Sequence, residues 1–268
     1  MITVIAGTGT LPIEACKNLI NQKKDFFIVV LFPEDNLKAI EELIQDPNKI
    51  IIQECYQISK VLNLLKEKNT THVLLIGKVD KRNLLKKVKL DWLSIKLLAM
   101  LTYKDDKAIM EKILETLKEN EIEVIKQSEV LNSLFVEPGI ISGNLTENLK
   151  IDIELGMSVA EKMSSWSIGQ TVAIKDGMIL AIEAIEGTDE CIQRGIKLGK
   201  ENIVICKSAH PKQNQKYDLP TLGTNSLKGI SSRQIAAIAW KSNQTFIADK
   251  EEFVKKAKEL GISLISVK

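Results

Sequence analysis

The feature that most constrains this chain is a repeated change of period. Short apolar runs rich in Ile and Val alternate with amphipathic stretches of helical spacing: Ile2 to Ala6, then Leu11 to Lys23, Phe26 to Phe32, then Pro33 to Gln45, Ile50 to Ile52, Ile58 to Lys68, and Val73 to Ile76. Strands separated by helices of that length pair after crossing over, so the pattern predicts βαβ units and a parallel sheet. Pro12 and Pro33 stand where the first turn of a helix tolerates proline, and Gly77 closes a strand. A helical region over 80–119 and a returning strand at Val124 to Lys126 complete this half.

Past Ser128 the texture changes. The stretch EPGIISGNLTEN, Glu137 to Asn148, has the Pro, Gly and Asn content of a linker. The second half opens on a hairpin signal, Thr171 to Lys175 and Met178 to Ile185 joined by Asp176-Gly177, a pair suited to a tight type I′ turn. Helix, strand and loop then alternate to the end. The fold class expected is α/β, with an amino-terminal domain over 1–132, a linker over 133–150 and a mixed α/β domain over 151–268.

A chain of 268 residues, 44% of them hydrophobic, has material for two cores. Its apolar runs are far shorter than the roughly 20 residues a membrane-spanning helix needs. The first residues lack the basic and apolar segments of a secretory leader, which predicts a cytoplasmic protein. Cys16, Cys55, Cys191 and Cys206 are scattered without metal-site spacing and read as small buried hydrophobes. Lys and Arg total 37 against 35 acidic residues, and aromatics are 4%, so a nucleic-acid partner is not expected. His72 precedes an apolar strand and reads as structural, while His210, before Pro211 in a loop, is placed to touch an anion.

Three stretches carry candidate chemistry. The opening strand runs into Gly7-Thr8-Gly9 and a helix beginning at Pro12, which would set backbone N–H groups and a positive helix end at the carboxyl edge of the sheet, a place for a phosphate. The third glycine of a dinucleotide fingerprint is missing, and Leu31-Phe32-Pro33 stands where an acidic residue would follow the second strand. A bare glycine turn without ligand is the alternative. On the phosphate reading, Gly7→Val would cripple binding more than folding. Gly77 and Lys78, at another strand end, would bring a cation to the same edge.

The second stretch, ILAIEAIEGTDE, sets Glu183, Glu186 and Asp189 around one strand end. Strand alternation sends Glu183 and Glu186 to opposite faces unless the strand ends between them, leaving Glu186 and Asp189 as the better pair. Capping of the following helix by Thr188 or Asp189 is the structural alternative. In the third, QNQKYDLPTLG, Asp218 sits in a stiff segment before Leu219-Pro220, as a chemical group or as the closure of an Asx-turn.

Taken together, IAGTGTLP, AIEAIEGTD and K…Q…YDLPTLG resemble the LpxI family of UDP-2,3-diacylglucosamine diphosphatases, with GKV (77–79), DDKAI (105–109), IGQTVAIKDG (168–177) and IAD before the last helix in the same order. The resemblance implies a Rossmann-like amino-terminal domain and a hydrolase of lipid A biosynthesis that cleaves UDP-2,3-diacylglucosamine into UMP and 2,3-diacylglucosamine 1-phosphate. It implies Mg2+ or another divalent cation as cofactor. By motif, Asp218, Glu186 and Asp189 fall on catalytic and metal-binding positions. Gly7, Thr8, Gly9, Gly77, Lys78, Gln170, Lys207, Gln213 and Thr221 fall on the substrate path. Asn214 and Lys216 depart from the family's acidic residue and arginine, which leaves those three carboxylates as the metal candidates. A Rossmann-type nucleotide-sugar or nicotinamide enzyme and a non-catalytic UDP-sugar binding module are the rival readings.

Residues 79–104 interleave Lys81, Arg82, Lys86, Lys87 and Lys89 with Leu84, Leu85, Leu90, Trp92 and Leu93. Such a segment suits a peripheral contact with inner-membrane lipid on its cytoplasmic face; packing of its apolar half onto the first domain is the alternative. A homodimer is left open.

Overall fold

The structure is a computed structural model in which the described residues are 1–54, 57–79, 91–99, 106–209, 214–217 and 219–268. The expectations for Cys55, His210, Gln213, Asp218, the basic run 80–90 and residues 100–105 therefore lie outside the described residues. The chain divides into two units, Met1–Asn132 with Gln215–Tyr217, and Ser133–Asn214 with Asp218–Lys268.

In the first unit the elements run β1 (Ile2–Ala6), α1 (Leu11–Asn21), β2 (Phe26–Val30), α2 (Pro33–Leu43), β3 (Ile50–Ile52), α3 (Ile58–Glu67), β4 (His72–Ile76), α4 (Trp92–Ala99), α5 (Asp106–Glu119), β5 (Glu123–Val124) and α6 (Gln127–Leu131). The strands form one parallel sheet in the order β3-β2-β1-β4-β5. Alternation sorts the side chains. Ile5, Val73 and Leu75 face Leu62 and Leu65 of α3 and Leu117 of α5, while the buried Val4, Ala6, Leu74 and Ile76 point to the other face. Both faces must be apolar in such a sheet, which is why β1, β2 and β4 read as nearly unbroken apolar runs rather than as alternating ones.

Asp91 fastens the start of α4 to α3. Its carboxylate accepts from the Ser94 N–H at 2.8 Å, the Ser94 hydroxyl at 2.7 Å and the Ser59 N–H at 2.7 Å. Burial would raise this carboxyl; the Ser94 and Ser59 bonds outweigh it and hold it below its ordinary value. Trp92 and Ile95 remain exposed on α4, and Lys96 lies over the indole at 5.2 Å. Among the described residues no helix is long and apolar enough to cross a membrane.

The second unit comprises β6 (Gly139–Ser142), α7 (Glu147–Ser165), β7 (Thr171–Lys175), β8 (Met178–Ile182), α8 (Thr188–Gly199), β9 (Ile203–Lys207), β10 (Thr221–Leu222), β11 (Ile235–Lys241), β12 (Phe246–Ile247), α9 (Lys250–Glu259) and β13 (Ser263–Val267). A mixed sheet has the order β6-β13-β11-β9-β7-β8, parallel from β13 to β9 and antiparallel outward from them. A small parallel pair joins β10 to β12. The segment 133–150, expected as a linker, instead carries β6, which pairs with β13 at Ser142 and Ile140. Its Pro and Gly residues mark the ends of an edge strand, a role composition alone does not separate from a linker.

The two faces of this sheet are filled separately. Val204 and Cys206 of β9 pack with Ile153 and Met157 of α7, whereas Ile203 and Ile205 pack with Ile192 and Ile196 of α8 and Phe253 of α9. Period two then carries the next residue of β9 in that second register, Lys207, to the α8 face.

The β7–β8 hairpin turns at Asp176-Gly177 with φ of 50° and 75°, the left-handed pair a type I′ turn requires. A buried carboxylate on α7 holds it: Asp152 accepts from the Asp176 N–H at 2.9 Å and the Gly177 N–H at 2.7 Å. Asp152→Ala is expected to lower the stability of the second unit by about 1.5 to 3 kcal/mol, the range for charge-assisted hydrogen bonds. Urea denaturation followed by circular dichroism measures it, with Asp152→Asn, which keeps one acceptor, losing less.

Candidate functional site

β1 and β4 lie side by side and run into Gly7 and Gly77, whose backbones meet. The Thr8 N–H donates to the Lys78 carbonyl at 2.7 Å and the Lys78 N–H donates back to the Thr8 carbonyl at 3.0 Å. A Cβ on Gly7 would stand 2.4 Å from the Lys78 carbonyl oxygen, and one on Gly77 2.7 Å from that of Thr8. Glycine is thus imposed by backbone against backbone.

The Gly7 N–H goes to the Ile76 carbonyl at 2.8 Å and the Gly9 N–H to Asp35 Oδ2 at 2.7 Å. This corrects the expectation of free donors, since all three N–H groups of the Gly7-Thr8-Gly9 turn are bonded within the protein. α2 clamps the turn from its first residues, because Asn36, beside Asp35, donates from Nδ2 to the Gly7 carbonyl at 2.9 Å. Lys78 carries an exposed side chain at the same edge.

In the second unit Lys207, the last residue of β9, is 3% exposed. Its ammonium donates to Thr188 Oγ1 at 2.6 Å and Thr171 Oγ1 at 3.1 Å and stands 3.8 Å from Glu183 Oε2. Glu183 in turn accepts from the Thr188 hydroxyl at 3.0 Å and the Gln170 N–H at 3.3 Å. Four elements converge here: the first residue of β7, the residue just past β8, the first residue of α8 and the end of β9. α8 comes close enough because Gly195 sits on β7, where a Cβ would lie 2.4 Å from that of Ala173.

Burial alone would raise the Glu183 carboxyl; the Lys207 charge and the bonds from Thr171, Thr188 and Gln170 outweigh it and hold the group below its ordinary value. The pair is therefore a fixed ammonium beside a fixed carboxylate.

The structure brings Lys207 and Gln170 together as members of this cluster and adds Glu183, Thr171 and Thr188 to them. β8 ends at Ile182, so strict alternation does not reach Glu183. The signal was the strand end itself, marked by the glutamate and the glycine turn that follow. Thr188 does not cap α8: Gly187 occupies the cap without a side-chain bond, and the Thr188 hydroxyl turns to Glu183 instead. Asp189 does not cap it either and is exposed in the first turn. Glu186 is paired with Arg194, which also donates to the Ile182 carbonyl at 2.6 Å. Thr221 begins β10, opposite Phe246. Gln213 and Asp218 lie outside the described residues.

Neither Glu186 nor Glu183 is free to take a magnesium ion. Glu186 holds a guanidinium, and Glu183 faces an ammonium at 3.8 Å that would repel a second cation. Among the described residues no three His, Cys, Asp or Glu side chains gather as a metal site.

The chain matches the family model for the LpxI N-terminal domain over residues 1–134 and that for the LpxI C-terminal domain over 137–265. It is also similar to the UDP-2,3-diacylglucosamine pyrophosphatase LpxI of Caulobacter vibrioides, at 26% identity over 174 residues, 61% of this chain. That match spans 62% of the relative's length.

Gly7→Val forces a side chain into the Lys78 backbone and is expected to cost about 1 to 3 kcal/mol of stability in the first unit, as overpacking does. Unchanged urea denaturation would show that the turn yields freely. Glu183 supplies a pH-dependent component in the second unit. Its folded carboxyl lies below the ordinary 4.5, so the stabilisation is present above that value and is lost as pH falls through the lower folded one. Glu183→Gln should flatten the acid limb of the stability curve, read as urea midpoints from about pH 5 down to about pH 2.

Proposed function

The chain belongs to the LpxI family, and from that premise we propose that it hydrolyses the diphosphate of UDP-2,3-diacylglucosamine in lipid A synthesis, releasing UMP and 2,3-diacylglucosamine 1-phosphate. The observation that supports this chemistry most directly is Lys207, a cation held at the carboxyl end of a parallel strand by Thr171, Thr188 and Glu183. Cleaving a phosphoric anhydride requires that charge on the phosphoryl oxygens be neutralised and that water attack in line. A preorganised ammonium does the first without reorganising as charge develops. Glu183 stands beside that ammonium, and the two threonine hydroxyls fix its direction. Asp218 is assigned to the second task, accepting a hydrogen bond from the attacking water and taking its proton. The exposed Trp92 and Ile95 of α4, following a basic run in the sequence, fit contact with the acidic lipid surface that carries a diacylated substrate.

Incubating the full chain with UDP-2,3-diacylglucosamine and separating the nucleotides should reveal UMP; binding without release would leave a UDP-sugar binding module. Lys207→Gln and Asp218→Asn, each folded by circular dichroism, are expected to slow UMP release about a hundredfold or more, as the loss of one preorganised electrostatic group does. Near-normal rates in the first would remove Lys207 from the site, and in the second would reduce Asp218 to a turn-former.

A further inference from the structure

The Gly7-Thr8-Gly9 turn of the first unit has no backbone donor left for a ligand. With every N–H of the Gly7-Thr8-Gly9 turn bonded internally, what stands at the carboxyl edge beside β1 is the exposed carboxylate of Asp35, anchored through Oδ2 to the Gly9 N–H at 2.7 Å. Its Oδ1 has no partner among the described residues. Beside it the Asn36 amide is fixed by its Nδ2 on the Gly7 carbonyl at 2.9 Å. The residue is 3% exposed, and the Oδ1 of that amide is buried without a partner among the described residues. A buried acceptor left unpaired costs about 1 to 3 kcal/mol, so this oxygen calls for a donor.

The location is where open parallel sheets bind ligands. In the order β3-β2-β1-β4-β5 the chain moves outward from β1 in one direction and then from β4 in the other, and the crevice at that reversal lies outside the carboxyl ends of β1 and β4. Sheets of this kind that hold nucleotides commonly place an acid after the second strand, where it takes the hydroxyls of the ribose. Here β2 is followed by Leu31-Phe32-Pro33, but the first turn of α2 delivers Asp35 to the glycine turn. A phosphate at that point would meet a carboxylate and find no free N–H in the turn. A sugar hydroxyl would meet the exposed Asp35 carboxylate, an acceptor.

We infer that Asp35, with Asn36 beside it, is the residue of the first unit that recognises the ribose hydroxyls of the uridine nucleotide. The assignment rests on the proposed UDP-sugar substrate and makes Asp35 a specificity-determining residue. Glucosamine also carries hydroxyls, so the test must separate the two sugars.

Isothermal titration of the full chain with UMP and with 2′,3′-dideoxy-UMP reads the ribose contact directly. The wild type is expected to prefer UMP by about tenfold or more, the effect of a hydrogen bond to a charged group. Asp35→Asn keeps an acceptor for the Gly9 N–H, as its thermal melt will show, and should bring the two affinities together by weakening UMP alone. Equal wild-type affinities, absence of UMP binding, or equal weakening of both ligands in Asp35→Asn would overturn the inference. So would a variant that loses affinity for 2,3-diacylglucosamine 1-phosphate while keeping it for UMP. UMP release without ribose discrimination would sink this assignment and leave the hydrolysis standing, whereas discrimination without release would do the reverse.

Discussion

An ammonium buried to 3% exposure sets the terms for the second unit. Taking such a charge out of water costs several kcal/mol before any partner is met, and one left unpaired is among the most destabilising features a fold can carry. Lys207 is tolerated because β7, the end of β8 and the start of α8 each bring it an oxygen, from Thr171, Glu183 and Thr188. The requirement runs in both directions. α8 must lie close to the sheet for Thr188 to reach, which makes Gly195 a condition of the charge cluster, and the hairpin that delivers Glu183 is itself pinned by Asp152 on the opposite face. The polar cluster and the apolar layers on either side of it are one geometric problem.

The first unit solves a related problem with backbone alone. Its parallel sheet brings two strand ends together at Gly7 and Gly77, and the antiparallel bridge from Thr8 to Lys78 closes the edge between them. A turn whose N–H groups are all used is rigid, and its chemistry is set by what clamps it. Asp35 and Asn36 do so from α2, so the first turn of that helix, rather than the glycines, determines what the edge presents.

Much of the architecture was legible in the order of residues. The unbroken apolar runs of β1, β2 and β4 announced a sheet covered on both faces, and Asp176-Gly177 announced the hairpin. Where the structure departs from the local pattern the cause is shared, which is that each arrangement depends on a partner distant in sequence. Glu183 was set aside by alternation because nothing local fixes the last residue of β8 at Ile182; the pairing with β7 does. The stretch holding Gly139 to Ser142 looked like a linker because its partner, β13, lies more than a hundred residues away. Gly7 looked like a phosphate cradle because the carbonyl that fills the space above it belongs to Lys78.

Sequence by itself determined the periods, and with them which residues form strands, which helices cross between them, and which glycines and prolines punctuate the turns; these follow from sterics and side-chain spacing within a few residues. The family too was legible in the order of its short motifs. Tertiary structure alone decided how the polar groups are used: that Lys207 is matched with Glu183 and two threonines, that Glu186 is taken by Arg194, and that Asp35 occupies the Gly9 N–H. The physical reason is that a hydrogen bond or ion pair has a range of a few ångströms, whereas the residues joined in these cases are separated along the chain by as many as thirty-six positions. Only the packed sheets and helices bring them within reach.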